Sequence, residues 1–268
     1  MIVPTPYPDV NAVLDELLSG VREILGERFV GLYLDGSLAT GDFNPQRSDI
    51  DFLVATTSEI PDEQVLALAA LHARLAAEYS PWGSELEGSY IPLEALRRYD
   101  PTQARHPNIE RGGVLKVEKH GSDWVIHRHV LRQHGLTLAG PSPRALIDPV
   151  SPDELRAAVR ELFQVWWAPM LDDPHRLRHP GYQVYAVHTM CRILYTLEHG
   201  AVVSKPAAAR WAQGTLGERR GTLIAQASAW INGQPFDCLD ETLDLIHYTL
   251  ERIRQQEPKG MKFDMSDS

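Results

Sequence analysis

The sequence predicts an α+β protein in two parts, an N-terminal domain that contains a sheet and a C-terminal α-helical bundle. Two observations support this fold class. Apolar runs of strand length alternate with amphipathic helices early in the chain, whereas apolar spacing is helical throughout the later part. Proline-rich segments at residues 139–143 and 148–154 separate the two patterns. We therefore expect domains at residues 1–145 and 150–268.

The N-terminal elements follow from the spacing of apolar residues. The expected order is a helix at 10–25, strands at 29–34 and 50–55, a helix at 61–75 and a strand at 85–91. Residues 101–120 are rich in turn formers and basic groups. We interpret them as an irregular connection with one short strand at 114–117.

The C-terminal part begins with a helix-start signal. Ser151 precedes Pro152, and Glu154 follows two residues later, a pattern typical of a helix with proline in its first turn. Apolar spacing then predicts five helices, at 155–167, 182–198, 206–213, 218–231 and 239–253. Trp166 and Trp167 lie in the first of these and are expected in its core.

Two short motifs carry the chemistry. Leu34-Asp35-Gly36-Ser37 is followed, a short loop later, by Ser48-Asp49-Ile50-Asp51. Alternate strand residues share a face, so Asp49 and Asp51 are predicted to project side by side. Adjacent carboxylates suit Mg²⁺, which prefers oxygen ligands and commonly binds substrate phosphates as well. Gly36 allows a close turn, and Ser37 offers a hydroxyl and an N–H group to a phosphate oxygen.

A less specific interpretation exists for each motif alone. An isolated Asp-x-Asp is usually a pair of solvated acids, and an isolated Gly-Ser is usually a turn. Here both motifs flank apolar strands, and the two acids enter the second strand without a basic partner beside them. Burying unpaired charge is costly, which favours a metal site.

These residues resemble a known group of enzymes. Gly36-Ser37, the following loop and Asp49-Ile50-Asp51 are similar to the signature of the polymerase-beta-like nucleotidyltransferases. The whole chain resembles the aminoglycoside 3''-nucleotidyltransferases, which adenylylate streptomycin and spectinomycin. The supporting segments are 86–87, 192–196, 204–206 and 209–212. The resemblance implies a polymerase-beta-like domain with a mixed sheet, ATP as substrate, Mg²⁺ as cofactor and Ser48 in the nucleotide site.

A third acid is needed as general base. Glu85, Glu87 and Ser89 alternate on one predicted strand, so a strand beside Asp51 would bring a glutamate to the metal. Glu87 matches the family's catalytic position, where a carboxylate both ligates metal and deprotonates the acceptor hydroxyl. Glu85 is interpreted as an exposed acid on an edge strand.

Positive charge is also required, because the leaving pyrophosphate accumulates negative charge. Arg192 lies among apolar residues of a predicted helix, and Lys205 begins the next helix. The resemblance implies that both contact the triphosphate, which would place the site across both domains. Without the resemblance, each is more often a surface cation at a helix end.

The acceptor is less well defined by the sequence. The resemblance implies that Trp124 stacks on the substrate, although a half-buried packing role fits it equally well. The family's drug-binding acids correspond here to Arg178 and Tyr182, so aminoglycosides should bind poorly unless Asp172 and Asp173 replace them. Histidines 127, 129 and 134 fit no zinc pattern and are interpreted as surface residues of a helix.

Composition narrows the class of protein. The net charge of −10 argues against nucleic acid as a partner. Cys191 and Cys238 give no disulfide framework, and the N-terminus lacks a signal-peptide pattern. We expect a cytoplasmic monomer without membrane association that adenylylates a small hydroxylated molecule, an aminoglycoside being the first candidate. A nucleotide-binding regulatory module, or an enzyme acting on a protein or another metabolite, remains the alternative.

Overall fold

The computed structural model describes residues 5–46 and 48–256. Contacts between Cα atoms divide the chain into two compact units, with the division between Ser151 and Pro152. The first unit combines a sheet with helices, and the second is helical. This is the α+β class that the sequence predicts.

One six-stranded sheet runs through the described part of the first unit. Its strands are β1 (Phe29–Leu34), β2 (Ile50–Thr56), β3 (Leu86–Pro92), β4 (Arg105–Ile109), β5 (Lys116–Lys119) and β6 (Leu136–Ala139). Their spatial order is β5-β4-β3-β2-β1-β6. The β2–β3 pair is parallel and the other pairs are antiparallel, so the sheet is mixed as predicted.

Helices cover both faces of this sheet. They are α1 (Pro8–Leu25), α2 (Gly36–Thr40), α3 (Asp62–Glu78), α4 (Leu93–Arg97), α5 (Asp123–His134) and α6 (Pro143–Leu146). The apolar stripes of α1 and α3 form one core with Ile50, Phe52 and Val54 of β2. On the opposite face Leu53 and Ala55 pack in a second core that includes Leu131 of α5. The alternation along β2 thus points its odd-numbered residues toward α5.

The segment from residue 101 to 120 is more regular than expected. Two strands, β4 and β5, replace the predicted irregular connection, and the expected strand at 114–117 lies two residues later, in β5. The strand β5 is an exposed edge with two lysines, so it shows neither an apolar run nor a clear alternation. The short strand β6, which pairs with β1, was also missed by the sequence analysis.

The second unit contains the five predicted helices. They are α7 (Pro152–Leu162), α8 (Pro180–His199), α9 (Lys205–Thr215), α10 (Glu218–Ala229) and α11 (Leu239–Gln255). The helix α7 continues into a π-helical turn, Phe163–Trp167. Trp167 is buried as predicted, but Trp166 is 42 % exposed, so its assignment to the core was wrong. Among the described helices, none is long and apolar enough to cross a membrane.

Candidate active site

Three acids lie side by side at the ends of three neighbouring strands. In the parallel β2–β3 pair, Asp51 is the register partner of Glu87. Asp35 directly follows β1, and its N–H donates to the carbonyl of Asp51 over 3.0 Å. Neighbouring strands are about 4.8 Å apart, so these side chains share one face at close range. Asp35 is the member of this row to which the sequence analysis gave no role.

Burial and neighbouring charges raise the pKa values of two acids in this row. Burial first, and then the charges of Asp49, Asp35 and Glu87, raises the pKa of Asp51 to about 7, against a smaller lowering effect of His127. Burial and Asp49 also raise the pKa of Glu87. Asp49, the residue before β2, therefore raises the pKa of both Asp51 and Glu87. The neighbouring carboxylates thus disfavour the ionisation of Asp51 and Glu87.

Gly36 is required where the chain passes Asp51. Its φ of 57° lies in the left-handed region, and a Cβ atom at this position would overlap the Asp51 carboxylate. The adjacent Ser37 hydroxyl is buried and has no hydrogen-bond partner among the described residues. Ser48 closes the next loop, since its Oγ accepts from the N–H of Asn44 over 3.0 Å. The turn thus brings the backbone of Gly36 and the hydroxyl of Ser37 close to the row of acids.

Helix α5 places a histidine over this row. His127 Nδ1 lies 3.4 Å from Asp35 Oδ2, and 49 % of the His127 side chain is exposed. His127 lies on a helix and is exposed, as the sequence predicts, but the sequence pattern does not indicate its pairing with Asp35. This pairing brings a histidine from a distant segment to the row of acids.

The neighbouring aromatic residue on α5 has a packing partner. Trp124 is half-buried and stacks on His120 with ring centroids 3.7 Å apart and an interplanar angle of 5°. His120 in turn lies 3.1 Å from the Ser89 hydroxyl. One face of Trp124 is therefore engaged within the unit, and its predicted contact with a substrate stays a prediction.

Glu85 differs from its predicted role. Its side chain is 17 % exposed and pairs with Arg111. The following strand, β3, is an inner strand between β2 and β4. Glu85 is thus a largely buried, ion-paired acid and not an exposed acid on an edge strand.

The remaining predicted site residues lie in the second unit. Arg192 is half-buried in the middle of α8, and Lys205 is the exposed first residue of α9. Asp172 and Asp173 are exposed, and Asp173 Oδ2 lies 3.1 Å from His175 Nδ1. Whether these residues contact a nucleotide or an acceptor remains a prediction.

An aromatic cluster surrounds the start of α8. Trp166 Nε1 donates to the Tyr182 hydroxyl over 2.9 Å, and the guanidinium of Arg176 lies 4.7 Å from the Trp166 ring centroid. Tyr185, 43 % exposed, packs edge-on against Tyr182. Arg178 is exposed one turn before Tyr182. This surface is therefore aromatic and basic.

Two protein-family models match parts of this chain, and several known enzymes are similar to it. A nucleotidyltransferase domain model matches residues 15–80, and the model of the aminoglycoside adenylyltransferase C-terminal domain matches residues 145–255. An aminoglycoside (3'') (9) adenylyltransferase from Escherichia coli is 25% identical over 261 residues, which covers 91% of this chain and 95% of that protein. A spectinomycin 9-adenylyltransferase from Staphylococcus aureus is 23% identical over 231 residues, with coverage of 82% and 84%.

A solved structure shares the fold. The spectinomycin adenyltransferase from Enterococcus faecialis, crystallised with ATP and spectinomycin, superposes with a TM-score of 0.71 at 16% identity. The match covers 91% of this chain and 98% of that one. Because a nucleotidyltransferase domain precedes a region that matches the C-terminal domain of the aminoglycoside adenylyltransferases, the protein is a nucleotidyltransferase that is similar to that family in both parts of the chain.

Proposed function

We propose that the protein transfers AMP from ATP to a hydroxyl group of a small molecule, with Mg²⁺ as cofactor. The observation that carries this proposal is the register pairing of Asp51 with Glu87 beside the tight turn at Gly36. Acids on adjacent strands, next to a turn that leaves no room for a side chain, suit a triphosphate and its metal. An ATP-consuming reaction of this kind belongs in the cytoplasm, which is the location we propose.

The donor set fits Mg²⁺. Asp49, Asp51 and Glu87 offer only carboxylate oxygens, and their mutual repulsion would be relieved by a divalent cation. The described residues contain no group of three His, Cys, Asp or Glu side chains already gathered as for a metal ion. The proposal therefore rests on donor chemistry and electrostatics. When bound, the ion would neutralise phosphate charge and polarise the reacting phosphorus centre.

The protein's own residues then have distinct roles. Glu87 accepts the proton of the acceptor hydroxyl, and its raised pKa makes it a stronger base than a solvated glutamate. Gly36, Ser37 and Ser48 bind the phosphates through their backbone and hydroxyl groups. Arg192 and Lys205 would bind the triphosphate and stabilise the departing pyrophosphate.

The acceptor class follows from the relatives, with one departure. Their names make an aminoglycoside or spectinomycin the first candidate. Arg178 and Tyr182 stand where acids would pair with drug amines, and Asp173 already has a histidine partner. We therefore propose that this enzyme prefers an acceptor with fewer amino groups than streptomycin, because the basic, aromatic surface around α8 repels polycations.

Transfer of label from α-³²P-ATP tests this proposal. Streptomycin, spectinomycin, other hydroxylated metabolites and proteins are offered in turn with Mg²⁺. Glu87→Gln should lower kcat by about 10²- to 10⁴-fold while it still binds ATP, because the base is lost and Asp49 and Asp51 remain to hold the metal. Glu85→Gln is the matched control and should retain transfer. Binding of ATP without transfer to any acceptor would instead favour a regulatory module, and full transfer by Glu87→Gln would exclude the proposed base.

A further inference from the structure

The contact between Asp35 and His127 joins segments 92 residues apart in sequence. Asp35 is 8% exposed, so its charge is held inside the first unit. The imidazole lies between two acids, with Nδ1 3.4 Å from Asp35 Oδ2 and Nε2 4.0 Å from Asp123 Oδ2. Burying a carboxylate beside Asp51 is unfavourable unless a cation compensates it. The contact thus fixes a positive side chain at the row of acids.

The imidazole retains a free donor. The distance of 4.0 Å from Nε2 to Asp123 is an ion-pair distance and too long for a hydrogen bond. The side chain is 49 % exposed, so this N–H can reach a ligand from solvent. The ring is held in place by Asp35 and by Trp124, whose ring centroid lies 5.0 Å away.

An unsatisfied hydroxyl near this contact points to a ligand. The Ser37 hydroxyl is buried and has no hydrogen-bond partner among the described residues. Buried polar atoms are nearly always paired, and an unpaired one costs about 1–3 kcal/mol. A hydroxyl donor and an imidazolium donor close to the same turn match the oxygens of a phosphate chain.

Electrostatics explains why such a cation is needed. Partial burial lowers the pKa of His127, but the hydrogen bond to Asp35 and the charges of Asp35, Asp123 and Asp51 outweigh this effect and raise it. Among the groups that act on the Asp51 carboxyl, His127 contributes a cation. A row of acids by itself repels a triphosphate.

We infer that His127 is a nucleotide-binding residue whose Nε2–H contacts the triphosphate of ATP, and that Asp35 is the residue that positions it. This inference rests on the proposed function. It adds to the nucleotide site a residue that neither the Gly-Ser motif nor the Asp-x-Asp motif contains.

Calorimetric titration of the full chain with Mg-ATP, ADP and adenosine tests the inference. His127→Gln should bind Mg-ATP about 10- to 100-fold more weakly, since a charge-assisted contact is lost. Adenosine, which lacks phosphate, should bind this variant and the wild type equally. His127→Arg should recover most of the affinity because it restores a cation. His134→Gln, at the exposed end of α5, is the matched control.

A second variant tests the role of Asp35. Asp35→Asn should weaken Mg-ATP binding less than His127→Gln, and the double variant should be no weaker than His127→Gln alone. Unchanged Mg-ATP affinity of His127→Gln, or equal loss for adenosine, would overturn the inference while leaving the proposed function intact. Failure of the wild type to bind Mg-ATP would overturn both. Failure of His127→Arg to recover affinity would indicate a packing role for the ring and would also overturn the inference.

Discussion

Replacing Gly36 by alanine should separate catalysis from folding. The new methyl group would overlap the Asp51 carboxylate, which has to rotate away from its place beside Glu87. The φ of 57° adds backbone strain, about 1–2 kcal/mol for a residue with a side chain. We expect Gly36→Ala to fold with that modest loss of stability.

Gly41 provides a matched control for the strain. It follows the same short helix α2 and has a φ of 78°, but apart from its chain neighbours no described residue has an atom within 4 Å of a Cβ built there. Gly41→Ala therefore carries the backbone cost without displacing a carboxylate. The two variants should have similar free energies of unfolding, within about 1 kcal/mol.

Their activities should differ strongly. A reacting group displaced by about 1 Å can lose about 10²-fold in rate. Pyrophosphate release with ATP, Mg²⁺ and the acceptor identified by the label-transfer screen measures the effect. Denaturant titration gives the stabilities. The reasoning would be refuted if Gly36→Ala kept a kcat within about threefold of Gly41→Ala, because the Asp51 carboxylate would then tolerate the methyl group.

Two further outcomes are expected. Arg192→Ala and Lys205→Ala should each weaken ATP binding by about 1.5–3 kcal/mol in calorimetry, and unchanged affinities would show that the second unit does not hold the nucleotide. His72, buried with Nε2 2.8 Å from the Tyr90 hydroxyl, has a pKa lowered by burial to about 4. Folding favours the neutral form of His72, so protonation of His72 destabilises the folded protein. The free energy of unfolding is therefore unaffected by His72 protonation above pH 6.5 and falls by about 3 kcal/mol as the pH decreases toward 4. In denaturant titrations at several pH values, His72→Gln should lose stability less steeply across this window than the wild type; equal slopes would contradict the assignment.

The sequence predicts those parts of the fold that have a strong local period. The strand at 29–34 coincides with β1 (Phe29–Leu34), and the five C-terminal helices appear with small shifts at their ends. The helices each bury one apolar face, whereas β1 is covered on both faces and therefore appears as a continuous apolar run. Strands β4 and β5 lack that record because β5 is an edge strand whose side chains are largely exposed.

The residues of the candidate site also differ in how well the sequence predicts them. Asp51 is predicted from its position in an apolar strand, and the family resemblance selects Glu87 over Glu85. The parallel pairing then makes Asp51 and Glu87 register partners. Trp166 was assigned to the core together with Trp167, but adjacent residues of a helix point about 100° apart, so one buried face does not cover both. A pair of adjacent tryptophans therefore does not by itself predict two buried side chains.

The contact between Asp35 and His127 shows a different limit of prediction from sequence. Asp35 and His127 meet only because α5 crosses the face of the sheet on which Asp51 lies, and no spacing rule links residues 92 positions apart. A buried acid nevertheless requires compensation, and that requirement is recognised from the sequence at Asp49 and Asp51 before any partner is known. Local pattern therefore predicts which charges need a partner, and the fold determines whether a metal, a substrate or a histidine supplies it.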